Sequence, residues 1–108
     1  MDKRWIYMNY VDRYIPNTIN QAVILLVSYL SSKDKNRITK LAEDNLSNLN
    51  FSLGVFIENE FKLISNDPLI ESCRVRSGAD PFYPEQASFI IIKALWKRLR
   101  ELQQPMVN

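Results

Sequence analysis

The sequence predicts an all-α fold, a small single-domain bundle of about five helices. The chain has 108 residues, a length that suits one domain with a hydrophobic core of its own. Only 2 of those residues are glycine, whereas all-β folds need glycine in their many tight turns. Apolar residues also recur at steps of three and four in several segments, as they do along the buried face of an α-helix.

The chain divides into three predicted regions. Residues 1–14 form an aromatic-rich arm or short helix, whose rings either pack onto the core or form a binding surface. Residues 15–102 form the helical domain, and residues 103–108 form a frayed tail. The first residues lack the apolar run of a secretory signal, and the longest apolar run, Ala22–Val27, is too short to span a membrane. We therefore expect a cytoplasmic protein without membrane association.

The first helix of the domain is predicted to begin near Thr18. Thr18 and Gln21 have the spacing of a capping box, in which both side chains bind free backbone N–H groups. Downstream, the segment is apolar almost all round, which predicts a central helix. Its β-branched residues leave a buried strand as the alternative. A short helix through Leu41 and a longer helix over Glu43–Leu63 are predicted to follow.

The second half of the domain is predicted to contain two further helices. Residues 66–68, Asn-Asp-Pro, predict a helix start with a capping side chain and a proline in the first turn. That short helix carries Cys73, and residues 76–83 predict a loop because they contain glycine and proline. The last helix is predicted over residues 84–102, with Trp96 on its buried stripe.

Two long stretches have the form of family signatures. Residues 50–63 read NFSLGVFIENEFKL, and residues 84–99 read PEQASFIIIKALWKRL. They resemble the HFSLGxxIRNxFGLW and PDDASxxIIxALWKRL signatures of a small, uncharacterised bacterial family, a domain of unknown function. Residues 16–18 and 66–73 are similar to two shorter elements of that family, P-x-T and N-x-x-L-x-x-x-C. The resemblance implies a small, mainly helical domain over about residues 15–100 and carries no activity with it.

The chain departs from these signatures at three positions. Asn50 stands where the family has histidine, Glu58 where it has arginine, and Ile64 where it has tryptophan. Any chemistry that depends on the family's histidine and arginine therefore does not transfer to this chain.

A polar stripe is predicted beside the apolar face of the long helix. Asn50, Gly54 and Glu58 follow one another at steps of four residues. Glycine inside a helix costs about 1 kcal/mol relative to alanine, so something should offset that cost at Gly54. One interpretation is the close approach of another helix over Gly54, with Asn50 and Glu58 capping or pairing nearby. The other is a notch in which a partner or ligand reaches the backbone.

Charge is segregated along the chain. Residues 1–40 carry a net charge of +4, residues 41–73 carry −5, and residues 74–108 carry +3. The acidic segment either complements the basic segments within the fold or forms a surface for a basic protein partner. The residues predicted to bind that partner are the polar stripe and its acidic neighbours: Glu43, Asp44, Asn50, Gly54, Glu58 and Glu60.

The residue types argue against catalysis. The chain has no histidine, so it lacks the commonest general base and metal ligand. Its one cysteine, Cys73, has no histidine to activate it and is predicted to pack as a small apolar residue. The carboxylates of Glu58 and Glu60 point away from each other on a helix and do not form an acid–base pair. We therefore predict no enzymatic activity, no cofactor and no metal.

The leading hypothesis is a non-enzymatic protein-interaction domain, such as an immunity or inhibitor-type protein that masks a toxin or effector. The alternative is a nucleic-acid-associated regulatory module that uses the basic last helix. A net charge of +2 argues against nucleic acid, because most nucleic-acid binders carry a stronger basic bias. The cations of the last helix also suit the negative end of the helix dipole. They are Lys93, Lys97, Arg98 and Arg100.

Overall fold

The computed structural model describes residues 15–103, in which all regular secondary structure is helical. The α-helices are α1 (Ile19–Tyr29), α2 (Ser32–Thr39), α3 (Leu53–Glu60), α4 (Asp67–Ser77) and α5 (Ala87–Gln103). Three 3-10 helices complete the described residues: η1 (Glu43–Phe51), η2 (Leu63–Ser65) and η3 (Pro84–Gln86). The all-α class is confirmed, and the helical segments outnumber the predicted five because three of them are 3-10 helices.

Parts of the predicted organisation lie outside the described residues. The predicted aromatic arm, residues 1–14, is one of them, and residues 104–108 of the predicted tail are the other. Gln103, which was predicted to begin the tail, is instead the last residue of α5, and its Nε2 donates a hydrogen bond to Asn36 Oδ1 at 3.4 Å. Within residues 15–103, no helix has the length and apolar content that a membrane crossing requires.

The helix at the centre of the fold is α5. It packs against the other four α-helices and against η1 and η3. One face of α5 enters the core, and the residues buried there are Ala87, Ser88, Ile91, Ile92, Leu95, Trp96 and Leu99. The predicted central position of α1 is wrong, because Ile24 is 67% exposed and α1 buries only one side, mainly against α5.

Hydrogen bonds from side chains fix the start of α1. The predicted capping residue Thr18 accepts a hydrogen bond at Oγ1 from the Gln21 N–H, at 3.1 Å. Gln21 Oε1 in turn accepts from the Asn17 N–H at 2.8 Å, one residue earlier than in the predicted box. Ser72 of α4 accepts from the Ile19 N–H at 3.1 Å, so α4 helps to cap α1. Helix ends need such partners because their first N–H groups have none within the helix.

Asn66 joins three parts of the chain. Its Oδ1 accepts a hydrogen bond from the Leu69 N–H at 3.2 Å, which confirms the predicted cap of α4. Its Nδ2 donates to the Pro16 carbonyl at 2.9 Å and to the Phe61 carbonyl at 3.0 Å. The side chain is buried and uses both donors and one acceptor, so it ties the start of the domain to the end of α3.

The single helix predicted over Glu43–Leu63 is wrong. The segment forms η1, leaves helical geometry at Ser52 with φ −123° and ψ −76°, and resumes as α3. The sequence of η1, EDNLSNLNF, is rich in serine, asparagine and aspartate, whose short polar side chains compete with the backbone for hydrogen bonds and weaken an α-helix. The spacing of its apolar residues suited an α-helix, but the low α-helix propensity of its polar residues did not.

Candidate functional site

Glu43 and Asp44, two of the predicted partner-binding residues, lie at the start of η1. The Glu43 carboxylate accepts from Lys93 Nζ of α5 at 2.8 Å. That hydrogen bond and the charge of Lys93 lower the pKa of Glu43. Asp44 is exposed and has no ion pair within residues 15–103. The acidic segment therefore complements the basic last helix at Glu43, as one of the two interpretations of the charge pattern expects.

Asn50 of η1 and Gly54 of α3 lie where these two helices pack against α5. Gly54 is buried, and a Cβ added to it would lie 3.4 Å from Asn50 Oδ1 and 3.7 Å from Ser88 Oγ. Ser88 itself is buried on α5, so a helix does approach closely over Gly54. The predicted notch is not open at this glycine, because side chains already occupy the space beside it.

Asn50 has a buried oxygen without a partner. Oδ1 has no hydrogen-bond donor among the described residues, although it is inaccessible to solvent. The two ends of an asparagine amide are assigned from their hydrogen-bond partners, so Asn50 is a polar group of the η1–α5 contact and carries no argument about binding.

Glu58 and Glu60 lie at the end of α3 and differ in exposure. Glu58 is exposed, and Glu60 is partly buried. The spacing of Glu58 and Lys62 suits an ion pair on a helix, but the two form none, because α3 ends at Glu60 and Lys62 adopts a left-handed conformation with φ 51°. Asn50, Gly54 and Glu58 do not form one continuous polar face, because the helix is broken at Ser52, and only Glu58 of the three is exposed.

An exposed apolar surface lies beside Glu58. Phe51, the last residue of η1, is 90% exposed, and Val55 of α3 is 46% exposed. Val55, Glu58 and Asn59 are exposed at steps of three and four, so they share the outer side of α3. We call Phe51, Val55, Glu58 and Asn59 the Phe51 surface. Sequence reasoning missed its apolar members, although Phe51 and Val55 fall outside the apolar spacing of Leu49, Leu53 and Phe56 and were therefore recognisable as unburied.

Most cations of α5 are engaged within the chain. Lys93 pairs with Glu43, and Arg98 Nη1 lies 3.5 Å from Glu101 Oε1. Arg100 lies over the Trp96 ring, with its guanidinium carbon 4.9 Å from the ring centroid, and donates to the Thr39 carbonyl at 3.2 Å.

Lys97 and Arg76 have no ion pair within residues 15–103. Both line two adjoining clefts, of about 470 and 290 Å³, that run beside α5. The sequence did not predict that Arg76 lies beside α5, because this proximity depends on how the end of α4 packs in the fold.

Cys73 lies in the core, as predicted. It is fully buried on α4, and its Sγ lies 3.8 Å from the Ala87 carbonyl. Burial raises the pKa of the thiol to about 11, and the nearby charge of Arg76 only partly opposes that shift. The thiol is therefore protonated at neutral pH, whereas nucleophilic attack requires the thiolate.

Comparison with known proteins gives one match. The sequence pattern of the domain of unknown function DUF6794 matches residues 15–99, and the chain belongs to that family. No curated protein and no solved structure matches the chain.

Proposed function

We propose that this member of a family without an assigned activity is a non-enzymatic protein-interaction domain that binds through the Phe51 surface. The observation that carries the proposal is the 90% exposure of Phe51 on a domain that buries Phe61, ten residues later, completely. Exposing an aromatic ring to water is unfavourable, and such rings are enriched at protein interfaces, where they act as anchors.

The surroundings of Phe51 suit a partner with an apolar and basic surface. Val55 adds an exposed apolar side chain on the following helix, and Glu58 adds a negative charge on the same side of that helix. A charge at the rim of an interface mainly sets the association rate, whereas the buried aromatic anchor mainly sets the lifetime of the complex. Of the residues predicted from the sequence, Glu58 is the one that remains in the proposed surface. Glu43 and Gly54 are left out of the proposed surface, because Glu43 pairs with Lys93 and Gly54 packs beside Asn50 and Ser88.

The finer proposal is an immunity or inhibitor-type protein of the cytoplasm that masks a toxin or effector. The small size of the chain, its lack of histidine and the protonated thiol of Cys73 support binding in preference to catalysis. A toxin gene next to the gene for this chain would support the finer proposal, and its absence would leave only the general one.

Nucleic-acid binding is the weaker alternative. It needs cations free to contact phosphates, because affinity rises with the number of phosphates neutralised. Lys93, Arg98 and Arg100 are already held by groups of the same chain, and Lys97 is the cation of α5 without an ion pair in the part of the chain that the structure describes.

A photo-crosslinking experiment tests the proposal. A benzoyl-phenylalanine is introduced at Phe51 in the source cells, and a matched control carries it at Val75 of α4, which is also exposed, at 65%. We expect a protein partner that crosslinks at position 51 and not at position 75. With the purified partner, Phe51→Ser should raise Kd at least about tenfold, as loss of an aromatic anchor does. Val75→Ser should leave Kd within about twofold.

The charge of Glu58 gives a second measurement. Glu58→Lys should lower the association rate at low salt, and the effect should shrink as salt screens the charge. Equal crosslinking at positions 51 and 75, or equal affinity of Phe51→Ser and Val75→Ser for the partner, would overturn the proposal.

A further inference from the structure

A second surface, which shares no residue with the Phe51 surface, has the opposite charge. It consists of the two adjoining clefts between α1, the end of α4 and α5. Both clefts are lined by Arg76, Ala94 and Lys97, so they form one continuous groove. We call it the Arg76–Lys97 groove.

The charge of the groove is positive and only partly compensated. Its lining includes four cations and one carboxylate, Glu101. Arg98 pairs with Glu101, and Lys93 pairs with Glu43. Among residues 15–103, the lining cations without an ion pair are Arg76 and Lys97, which reach the groove from two different helices. An arginine can bind a carboxylate through two parallel hydrogen bonds, and the lysine adds a mobile point charge.

The floor of the groove is apolar. Val23 is almost completely buried below it, and the side chain of Ile24 beside it is 67% exposed. Phe89 and Ile90, both partly buried, line the other end. A ligand that fits this groove therefore carries both negative charge and apolar groups.

The length of the groove favours a peptide over a small anion. Its lining on α5 extends from Phe89 to Glu101, which is about 18 Å at the rise of an α-helix. About five extended residues of a peptide cover that distance. A nucleic acid fits the lining less well, because its phosphate backbone has no apolar side chain to pack on Ile24, Phe89 and Ile90.

We propose that the Arg76–Lys97 groove binds an acidic, partly apolar peptide segment of a protein partner. Carboxylates of the segment contact Arg76 and Lys97, and an apolar side chain packs on Ile24. This proposal does not depend on the Phe51 surface, and it gives the domain two surfaces that differ in the charge of the partner they take.

Fluorescence anisotropy tests the groove with a defined probe. The probe is a labelled ten-residue peptide of leucine and glutamate, and the comparison peptide has glutamine in place of every glutamate. We expect the acidic peptide to bind and the glutamine peptide to bind at least about tenfold more weakly. Lys97→Glu and Arg76→Glu should each weaken the acidic peptide about tenfold or more at low salt, because each replaces an attraction by a repulsion.

Two control variants separate the groove from general attraction. Lys33→Glu makes the same charge change at an exposed position of α2 outside the groove, and it should leave affinity within about twofold. Ile24→Ser removes the apolar contact without changing charge and should weaken binding at least about threefold. Circular dichroism melts establish that each variant is folded.

Four outcomes would overturn the proposal. They are no binding of the acidic peptide at millimolar concentration, equal binding of the glutamine peptide, equal weakening by Lys33→Glu, and displacement of the peptide by a ten-nucleotide single strand at lower concentration than by unlabelled peptide. The last result would assign the groove to nucleic acid.

Discussion

Replacing Asn66 by alanine should destabilise the domain more than its single side chain suggests. The change removes the cap of α4, worth about 1 kcal/mol. It also leaves the buried carbonyls of Pro16 and Phe61 without their donor, at about 0.5–1.5 kcal/mol each. The expected loss in the free energy of unfolding is therefore about 2–4 kcal/mol, a large part of the ~5–15 kcal/mol typical of a domain.

Thermal and urea unfolding, followed by circular dichroism, measure that loss. A change of this size lowers Tm by on the order of 10–20 °C in a domain of about this length. Asn66→Ser should recover about 1 kcal/mol relative to alanine, because a serine hydroxyl still caps the helix. Asn48→Ala, at an exposed asparagine of η1, should change stability by less than about 0.5 kcal/mol. A difference of about 3 °C in Tm corresponds to about half a kcal/mol. If the Tm of Asn66→Ala lies within about 3 °C of that of the unchanged protein, the amide does not hold these segments together.

Three further predictions concern the core. Trp96→Ala should lower the free energy of unfolding, measured in urea, by about 3–5 kcal/mol. Trp96→Phe should lower it less, although it loses the hydrogen bond from Nε1 to the Leu41 carbonyl at 3.0 Å. Unchanged stability of the alanine variant would contradict the packing. Gly54→Leu should destabilise by about 1–3 kcal/mol through overpacking against Asn50 and Ser88, while Gly54→Ala should stay within about 1 kcal/mol; a Gly54→Leu protein with unchanged Tm would contradict the close approach. The raised pKa of Cys73 means that the folded state holds the thiol proton more tightly than the unfolded state does. The contribution of this thiol to stability is therefore fully present below about pH 9 and is lost as pH rises toward about 11. Cys73→Ala should remove that part of the decline in the free energy of unfolding, and an equal decline in both proteins would refute the assignment.

Local signals in the sequence were sufficient where one residue decides a local structure. Thr18 and Asn66 were recognisable as caps because a side-chain oxygen beside free N–H groups acts within three residues. Trp96 was recognisable as buried from the apolar stripe of α5. The helix predicted over Glu43–Leu63 failed, because apolar spacing records which residues face the core and not whether the backbone between them is α or 3-10.

The candidate surfaces were harder to predict because they depend on contacts between distant segments. The pairing of Glu43 with Lys93 joins residues 50 positions apart, and it engages one predicted binding residue with a cation of the same chain. Arg76 was assigned to a loop, whereas it lies in the last turn of α4 and reaches the groove beside α5. Phe51 looked like part of a helix whose continuity the fold does not keep. Its place outside the apolar spacing indicated exposure, but the end of η1 at Phe51 was visible only in three dimensions.

The position of α5 at the end of the domain has a consequence for folding during synthesis on the ribosome. The helix on which α1, α2, α3 and α4 all pack is synthesised after every one of them. A ribosome adds about 5–20 residues per second, so the earlier helices emerge and wait for seconds with their apolar faces uncovered. During that interval the nascent chain is a substrate for chaperones and proteases, and a chain released before Ala87 has no core to close. We therefore expect the full domain to fold at one late moment of synthesis, when α5 leaves the ribosome.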